Sequence, residues 1–205
     1  MARTKIDDFD LKDLEGKTIL GGRNGGMPAM TLNYTLNQNK INSKVDTSVD
    51  FANLSGAFIG GQGDFVTLFE PAALALEKEE LGYVVKSVGE IGGEVPYTAF
   101  NALKSYIEEN PDVIEGFNKA IQKGIEYTKS HSDDELAELL VDYFPDTSLN
   151  DISTVIGRYR NIDAWYDTTN ITEEGFNHMQ DIVEFNGFLD KRVDYNTLVR
   201  NQNNE

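Results

Sequence analysis

The sequence predicts an α/β fold for the first half of the chain and a mainly helical second half. In the first half, short β-branched or aromatic runs alternate with helical patterns, and Gly-rich connections separate them. Thirteen of the 18 glycines lie at or before Gly93, and the remainder is richer in helix formers and capping residues. Strand–helix alternation with short connections indicates a parallel or mixed sheet covered by helices.

Run composition and turn signals define the elements of the first half. Lys17–Leu20 predicts a buried strand that ends at a Gly-Gly pair, and Pro28 in a first turn predicts a helix over Met27–Asn39. Further strands are expected over Val45–Phe51, Phe65–Phe69 and Tyr83–Val88, with a helix from Pro71 to about Glu80.

The second half opens with VPYTAFNA (residues 95–102), which predicts one more extended segment, and continues with four helices. Their starts carry capping signals: an Asn-Pro pair at Asn110, a capping box at Ser132, a serine at Ser148, and Thr172 followed by two glutamates. Their apolar stripes need a sheet or other helices to cover them, yet this half supplies almost no strands. The polar tail Asn201–Glu205 is expected to fray.

Composition excludes several classes of function. The net charge of -17 repels phosphate backbones and anionic membranes, so nucleic-acid binding is not expected. The absence of cysteine excludes disulfides, thiolate metal sites and cysteine nucleophiles. No run approaches the roughly 20 apolar residues of a membrane span. The first residues also lack the apolar core of a signal peptide.

A glycine-rich turn with one arginine follows the first predicted strand, in the segment KTILGGRNGGMP (residues 17–28). Glycines allow positive φ and close approach to a ligand, and a helix start offers free N–H groups. A guanidinium adds affinity for a carboxylate, sulfonate or phosphate-like group. The turn is not a P-loop, because no GK[ST] follows it. The expected ligand contacts are Gly22, Arg23, Gly25, Gly26 and Met27; the alternative is a tight structural turn.

Two other segments are candidates for a ligand site. In GGQGDFVTLFEP (residues 60–71), a strand ends near Glu70, and the carboxyl ends of parallel strands form the ligand crevice of open α/β sheets. We expect Glu70 either to accept a hydrogen bond from a ligand or to cap the next helix. In GGEVPYT (residues 92–98), Tyr97 either faces a cleft or has a structural role.

Signals for an enzyme are weak. His131 falls in a loop at a helix end and His178 in the polar part of a helix, so both are expected at the surface. The acidic run that begins at Asp133 fits a capping box more simply than a metal cluster. No hydrolase, zinc-protease or EF-hand pattern occurs. We therefore assign no catalytic residue and no metal ligand.

Three ordered segments resemble one family. They are DLEGKTILGGRNGGMPAMTLNYTLNQN, GAFIGGQGDFVTLFEPAALALE and GYVVKSVGEIGGEVPYTAFNALKSYIEENPDVIEGFNKAI. They are similar to the solute-binding components of ABC importers for nitrate, aliphatic sulfonates, taurine and thiamine-pyrimidine precursors. The similarity continues through FPDTS and RYRNIDAW to FLDKRVDYNTLV, and it does not specify the ligand.

The resemblance implies the type II periplasmic-binding fold, in which a hinge joins two α/β lobes. Residues 1–95 would form lobe two, a mixed and mainly parallel sheet with helices on both faces, starting at the hinge. Residues 96–205 would be the return strand and the C-terminal helices of lobe one, whose early strands this sequence lacks. Carried over by position, the ligand-facing residues also include Gly61, Asp64, Phe69, Glu70 and Tyr97.

The implied function is capture of a small solute, anionic or of sulfonate or pyrimidine type, between the lobes, and its delivery to a membrane permease. The full-length family member would be a lipoprotein on the extracellular face of the membrane or a periplasmic protein. No cofactor, metal or nucleic acid is expected. The alternatives are a truncated fragment that does not bind, an enzyme similar to the thiamine-pyrimidine synthases, and the effector-binding domain of a regulator.

Overall fold

The computed structural model of the protein describes residues 1–201, so most of the polar tail lies outside the described residues. The chain forms two compact units. The first unit comprises Met1–Glu94 and Gln180–Arg192, and the second comprises Val95–Met179 together with the chain from Val193 onward. Among residues 1–201, no helix combines the length and apolar character needed to cross a bilayer.

The described residues contain three strands and ten α-helices. The strands are β1 (Thr18–Leu20), β2 (Lys44–Asp46) and β3 (Phe65–Val66). The helices are α1 (Met27–Gln38), α2 (Leu54–Ile59), α3 (Ala72–Lys78), α4 (Val88–Gly92), α5 (Lys104–Glu109), α6 (Pro111–Ser130), α7 (Asp133–Leu140), α8 (Leu149–Asn161), α9 (Glu173–Phe185) and α10 (Tyr195–Leu198). Short 3-10 helices cover Leu11–Leu14, Phe51–Asn53 and Val141–Tyr143.

The sheet of the first unit is parallel and has the strand order β2-β1-β3. Ile19 in the central strand lies opposite Val45 on one side and Phe65 on the other. Ala2 adds isolated antiparallel bridges to Phe65 and Tyr83. The predicted α/β fold with a small, mainly parallel sheet is confirmed.

Successive side chains of each strand point to opposite faces of this sheet, and helices cover both faces. Ile19 and Phe65 belong to one buried cluster, which contains Leu32 and Leu36 of α1. The next residue of each strand points the other way: Leu20 and Val66 belong to a second cluster with Leu54, Phe58 and Leu76 from α2 and α3. Each such buried side chain contributes about 1.5–3 kcal/mol of hydrophobic stabilisation.

Several helices of the second unit begin with a side-chain cap, whereas α5 has none and the cap expected at Asn110 for α6 does not form. Ser132 and Glu135 form a reciprocal capping box at α7, and Ser148 accepts the Asp151 N–H at α8. A small buried cluster joins these two helices: Leu136, Ala137, Ile152 and Ile156. Arg160 donates from Nε to Asp133 Oδ1 over 2.7 Å, which ties the end of α8 to the start of α7.

The longest helix of the second unit, α6, buries none of its residues. Its predicted apolar stripe is present, but Phe117 on that stripe remains substantially exposed. Phe100, before α5, packs edge-on against Phe117 with ring centroids 4.8 Å apart, and is itself 73% exposed. The apolar stripes predicted from the sequence therefore lie on helices. Within the described part of the second unit, the close helix pair is α7 with α8.

Several sequence-based boundaries are corrected by the structure. The strand expected over Tyr83–Val88 reduces to one bridge at Tyr83, and Ser87 instead caps α4 by accepting the Glu90 N–H. Residues 95–102 form no strand. The strands expected from Val45 and from Phe65 end earlier than predicted, at Asp46 and Val66. The sheet has three short strands. The rest of each β-like run lies beyond the paired residues, so it has no neighbouring strand with which to form a ladder.

Candidate functional site

The three parallel strands end at one edge of the sheet, and the glycine-rich turn lies there. The Gly21 N–H donates to Asp46 O over 2.9 Å, which extends the pairing of β1 and β2 by one residue. A Cβ on Gly21 would lie 2.5 Å from Val45 Cγ1, so only glycine fits. Gly22 and Gly25 have φ of +83° and +72°, in the left-handed region that glycine adopts without strain.

Helix α1 starts at this edge without a side-chain cap. Gly26 is the N-cap, and its N–H donates to Arg23 O over 3.0 Å. Pro28 has no N–H, and the N–H groups of Met27 and Ala29 have no acceptor among the described residues. The helix start therefore offers two main-chain donors at the positive end of the helix dipole.

A shallow depression of ≈ 130 Å³, which we call the first depression, lies beside this helix start. The turn, α1, the end of β2 and the segment after α9 each contribute to its wall. The lining residues are Asn24, Gly25, Ala29, Met30, Asn33, Val45, Thr47 and Asn186. None of these side chains is charged, so the wall offers hydrogen-bonding groups and shape but no ionic contact.

Two residues from the second segment of the first unit lie here: Asn186 lines the first depression, and Phe188 packs beside the glycine turn. Asn186 Nδ2 donates to Met30 O over 3.1 Å, and its Oδ1 accepts from Asn33 Nδ2 over 2.9 Å. The Phe188 ring lies so close to Gly25 that a Cβ there would be 3.0 Å from its Cε1. Sequence analysis missed both residues, because more than 150 positions separate them from the turn and no local pattern links them.

A second depression, of ≈ 230 Å³, lies at the same edge near the start of α2 and the segment that follows β3. It is lined by Phe51, Ala52, Ser55, Leu68, Phe69, Glu70, Pro71 and Ala72. The rings of Phe51 and Phe69 are 50% and 41% exposed, and their centroids are 5.4 Å apart. These half-exposed rings give the second depression a more apolar character than the first.

Glu70 takes part in the start of α3. Its Oε2 accepts the Leu74 N–H over 2.8 Å, and the Glu70–Pro71 peptide bond is cis. The capping alternative considered for this glutamate is therefore realised in the structure. Its carboxyl group nonetheless belongs to the wall of the second depression.

The charge closest to the end of β2 is the Asp46 carboxylate. Hydrogen bonds from the Ser48 hydroxyl (2.6 Å) and the Ser48 N–H (2.9 Å), followed by Lys44, lower the pKa of Asp46 from 3.8 to about 2. Asp46 is thus anionic at every physiological pH. Arg23 is exposed, and its guanidinium has no partner among the described residues.

The structure brings most of the expected ligand contacts to one edge of the sheet. Gly22, Arg23, Gly25, Gly26 and Met27 lie in the turn and the helix start there, and Phe69 and Glu70 follow β3 at the same edge. Gly22 does not line the second depression but lies near one of its lining residues, since a Cβ on Gly22 would be 3.7 Å from the Phe51 ring.

Three expected contacts lie elsewhere. Asp64 precedes β3 at the amino-terminal edge, where its Oδ2 accepts the Thr18 N–H over 2.8 Å. Gly61 belongs to the same preceding loop, which the Arg3 guanidinium holds by donating to the Gln62 and Gly63 carbonyls. Tyr97 belongs to the second unit and is 54% exposed.

The histidines and acidic runs have structural contacts. His131 stacks on Tyr127 with ring centroids 3.6 Å apart, and its Nδ1 lies 2.9 Å from Tyr127 O. Within residues 1–201, no three His, Asp or Glu side chains are placed to hold a metal ion together.

Comparison with known proteins gives two matches. Residues 3–135 match the family model described as NMT1/THI5 like. The chain is also 39% identical over 206 residues to the "Putative binding protein YtlA" of Bacillus subtilis (strain 168). That alignment covers 98% of this chain and 62% of the relative, so the chain spans less than two thirds of the relative's length.

Proposed function

We propose, from the premise that this chain belongs to the NMT1/THI5-like family, that it binds a small solute for an importer of the ATP-binding cassette class. The observation that carries this proposal is the glycine turn at residues 21–26. It places an uncapped helix start and two depressions at the carboxyl edge of a parallel sheet, where open α/β sheets bind ligands.

The dimensions of the edge suit a small molecule. A water molecule occupies about 30 Å³ of liquid. The first and second depressions, at ≈ 130 and ≈ 230 Å³, therefore have room for only small chemical groups. A solute of sulfonate or pyrimidine size matches this scale.

The chemistry of the edge suggests how such a solute is held. An anionic or acceptor group would bind to the Met27 and Ala29 N–H groups, with Arg23 adding a mobile positive charge. An apolar or ring portion would pack on Phe51 and Phe69 in the second depression. Local donors then outweigh the repulsion of an anion by the net charge of -17.

The partner in this proposal is a membrane permease that receives the solute. A binding protein of an importer works on the side from which the solute arrives, so we place the full-length protein on the extracellular face of the membrane or in the periplasm. Fractionation of cells, with the permease as a membrane marker, tests this location. Recovery of the protein in the cytosolic fraction contradicts it.

Isothermal titration of the chain with nitrate, alkanesulfonates, taurine and aminopyrimidines tests the proposal. We expect titration with at least one class of solute to release heat and to fit a single binding site. The variant R23A should lower the affinity for an anionic solute about tenfold, since loss of one charge-assisted contact costs about 1.4 kcal/mol. The control K12A removes an equally exposed positive charge in a different segment and should leave binding unchanged. Absence of heat with every solute contradicts the proposal.

A further inference from the structure

Besides Asn186, Asn33 is the polar lining group of the first depression whose orientation the described contacts fix. Its Nδ2 donates to Asn186 Oδ1 over 2.9 Å. The side chains of Asn24 and Thr47 also line the depression and form no hydrogen bond with a described residue. Those two groups can rotate and offer either a donor or an acceptor to a ligand.

The orientation of Asn33 follows from the bonds that Asn186 makes to main-chain carbonyls. Asn186 Nδ2 donates to Met30 O over 3.1 Å and to Ile182 O over 2.8 Å. Carbonyl oxygens accept and cannot donate, so the amide of Asn186 has one possible rotation. Its Oδ1 atom must therefore face Asn33, and Asn33 must use its nitrogen to reach it.

The consequence for a ligand concerns the other atom of the Asn33 amide. The Oδ1 atom of Asn33 has no donor among the described residues. Because Asn33 cannot exchange its two amide atoms without breaking its bond to Asn186, the acceptor stays at a fixed position in the wall. The wall carries no charged side chain that would override this polarity.

We infer that Asn186 is a positioning residue, and that through Asn33 it makes the first depression a subsite for a hydrogen-bond donor of the solute. A solute that carries an N–H or O–H group is then preferred over an otherwise matched solute that lacks it. This inference rests on the proposed binding function and deepens it by specifying one chemical group of the solute.

Matched pairs of solutes test the preference by titration of the chain. The pairs are taurine with ethanesulfonate, and 4-amino-2-methylpyrimidine with 2,4-dimethylpyrimidine. We expect the amino member of the pair that binds to bind at least tenfold more tightly. Equal affinities within a pair that binds overturn the inference while leaving the binding function standing. Absence of binding by all four overturns the inference, and the binding function is contradicted as well if nitrate also releases no heat.

Three alanine variants separate positioning from general stabilisation. N33A removes the acceptor, and N186A frees Asn33 to rotate, so each should reduce the amino preference to about twofold or less. N37A, at another exposed asparagine of α1, is the control and should keep the full preference. If Asn186 had only a structural role, N186A would lower the affinity for both members of a pair equally, and the ratio of the two affinities would stay unchanged.

Side-chain amide exchange measured by NMR tests the contact without any ligand. The Nδ2 hydrogens of Asn186 should exchange with solvent more slowly than those of Asn37. Rapid exchange at Asn186 shows that its rotation is not fixed and overturns the inference independently of solute binding. The same spectra of N186A show whether that variant remains folded.

Discussion

The start of α1 in the first unit differs from the starts of α7 and α8 in the second in how the first N–H groups are satisfied. In the first unit, α1 begins at a glycine without a side-chain cap, and a Cβ on Gly21 or Gly92 would lie 2.5 or 2.3 Å from a neighbouring side chain. In the second unit, Ser132 and Ser148 cap their helices, and a Cβ on Gly116 or Gly124 would meet nothing within 4 Å.

This difference separates a helix start that its own side chains complete from one that stays open. Where the chain's own side chains accept the first N–H groups of a helix, the helix start is complete without a ligand. Where glycines fix the backbone by close packing and leave those N–H groups without an acceptor, the start is available to a solute. The first unit has the second arrangement at α1, beside the first depression.

The largest expected effect compares a fully buried phenylalanine of the first unit with an exposed one of the second. Phe58 is 0% exposed in the first unit, and Phe100 is 73% exposed in the second. We expect F58A to lower the free energy of unfolding by about 3–5 kcal/mol, because it leaves a cavity. F100A should lower it by less than about 1 kcal/mol. Urea unfolding followed by circular dichroism measures both losses of stability. Equal losses in the two variants would contradict the expected difference between the buried and the exposed ring.

Glycine replacements should act in opposite directions in the two units. G21A forces a Cβ against Val45 and should cost about 1–3 kcal/mol of stability. It should also weaken solute binding, because Val45 lines the first depression. G124A in α6 meets open space and should raise stability by up to about 1 kcal/mol. A stabilising G21A, seen as a higher midpoint in thermal unfolding, would contradict the close packing.

Replacement of two serines should distinguish a residue that caps a helix from one that lines a depression. S132A removes the capping box of α7 and should cost about 1 kcal/mol without changing solute affinity. S55A, within α2, removes a lining hydroxyl of the second depression and should change stability by less than about 0.5 kcal/mol. Unfolding curves and titrations on the same samples measure both properties. A loss of solute affinity in S132A would contradict the separation.

The smallest expected effect is the pH dependence contributed by Asp46. The folded pKa of about 2 lies below the ordinary 3.8, so the carboxylate stabilises the fold above pH 3.8 and loses this contribution as the pH falls toward 2. Because the site is close to solvent, we expect the D46N variant to be less stable by under about 1 kcal/mol at pH 7. The difference should vanish near pH 2. Urea unfolding at pH 7, 5, 3.5 and 2.5 checks this, and a difference that grows on acidification contradicts it.

Local signals in the sequence predict much of the fold. The Gly-Gly pair after Leu20, Pro28 in the first turn of α1 and the capping box at Ser132 are each confirmed close to their expected positions. These features depend on neighbours within about four residues. The turn at residues 21–26 is found from sequence partly for the same reason, since the positive φ of Gly22 and Gly25 is a local requirement, whereas Gly21 is required by its contact with Val45.

Features that need distant partners are not predictable in this way. The run from Tyr83 has the composition of a strand, but a strand forms only where another strand pairs with it. The position of Asp64 depends on where β3 starts relative to β1, which its own neighbours do not determine. Asn186 and Phe188 reach the glycine turn only through tertiary packing, so the wall of the first depression could not be read from the segment that carries it.

The hydrogen bond between Asn33 and Asn186 spans 153 positions of the chain. At a synthesis rate of roughly 5–20 residues per second, the ribosome adds the second asparagine about 8–30 s after the first. Throughout that interval the nascent polypeptide has its glycine turn but lacks one wall beside it. The part of the wall that Asn186 contributes to the first depression can therefore form only after residue 186 has been added.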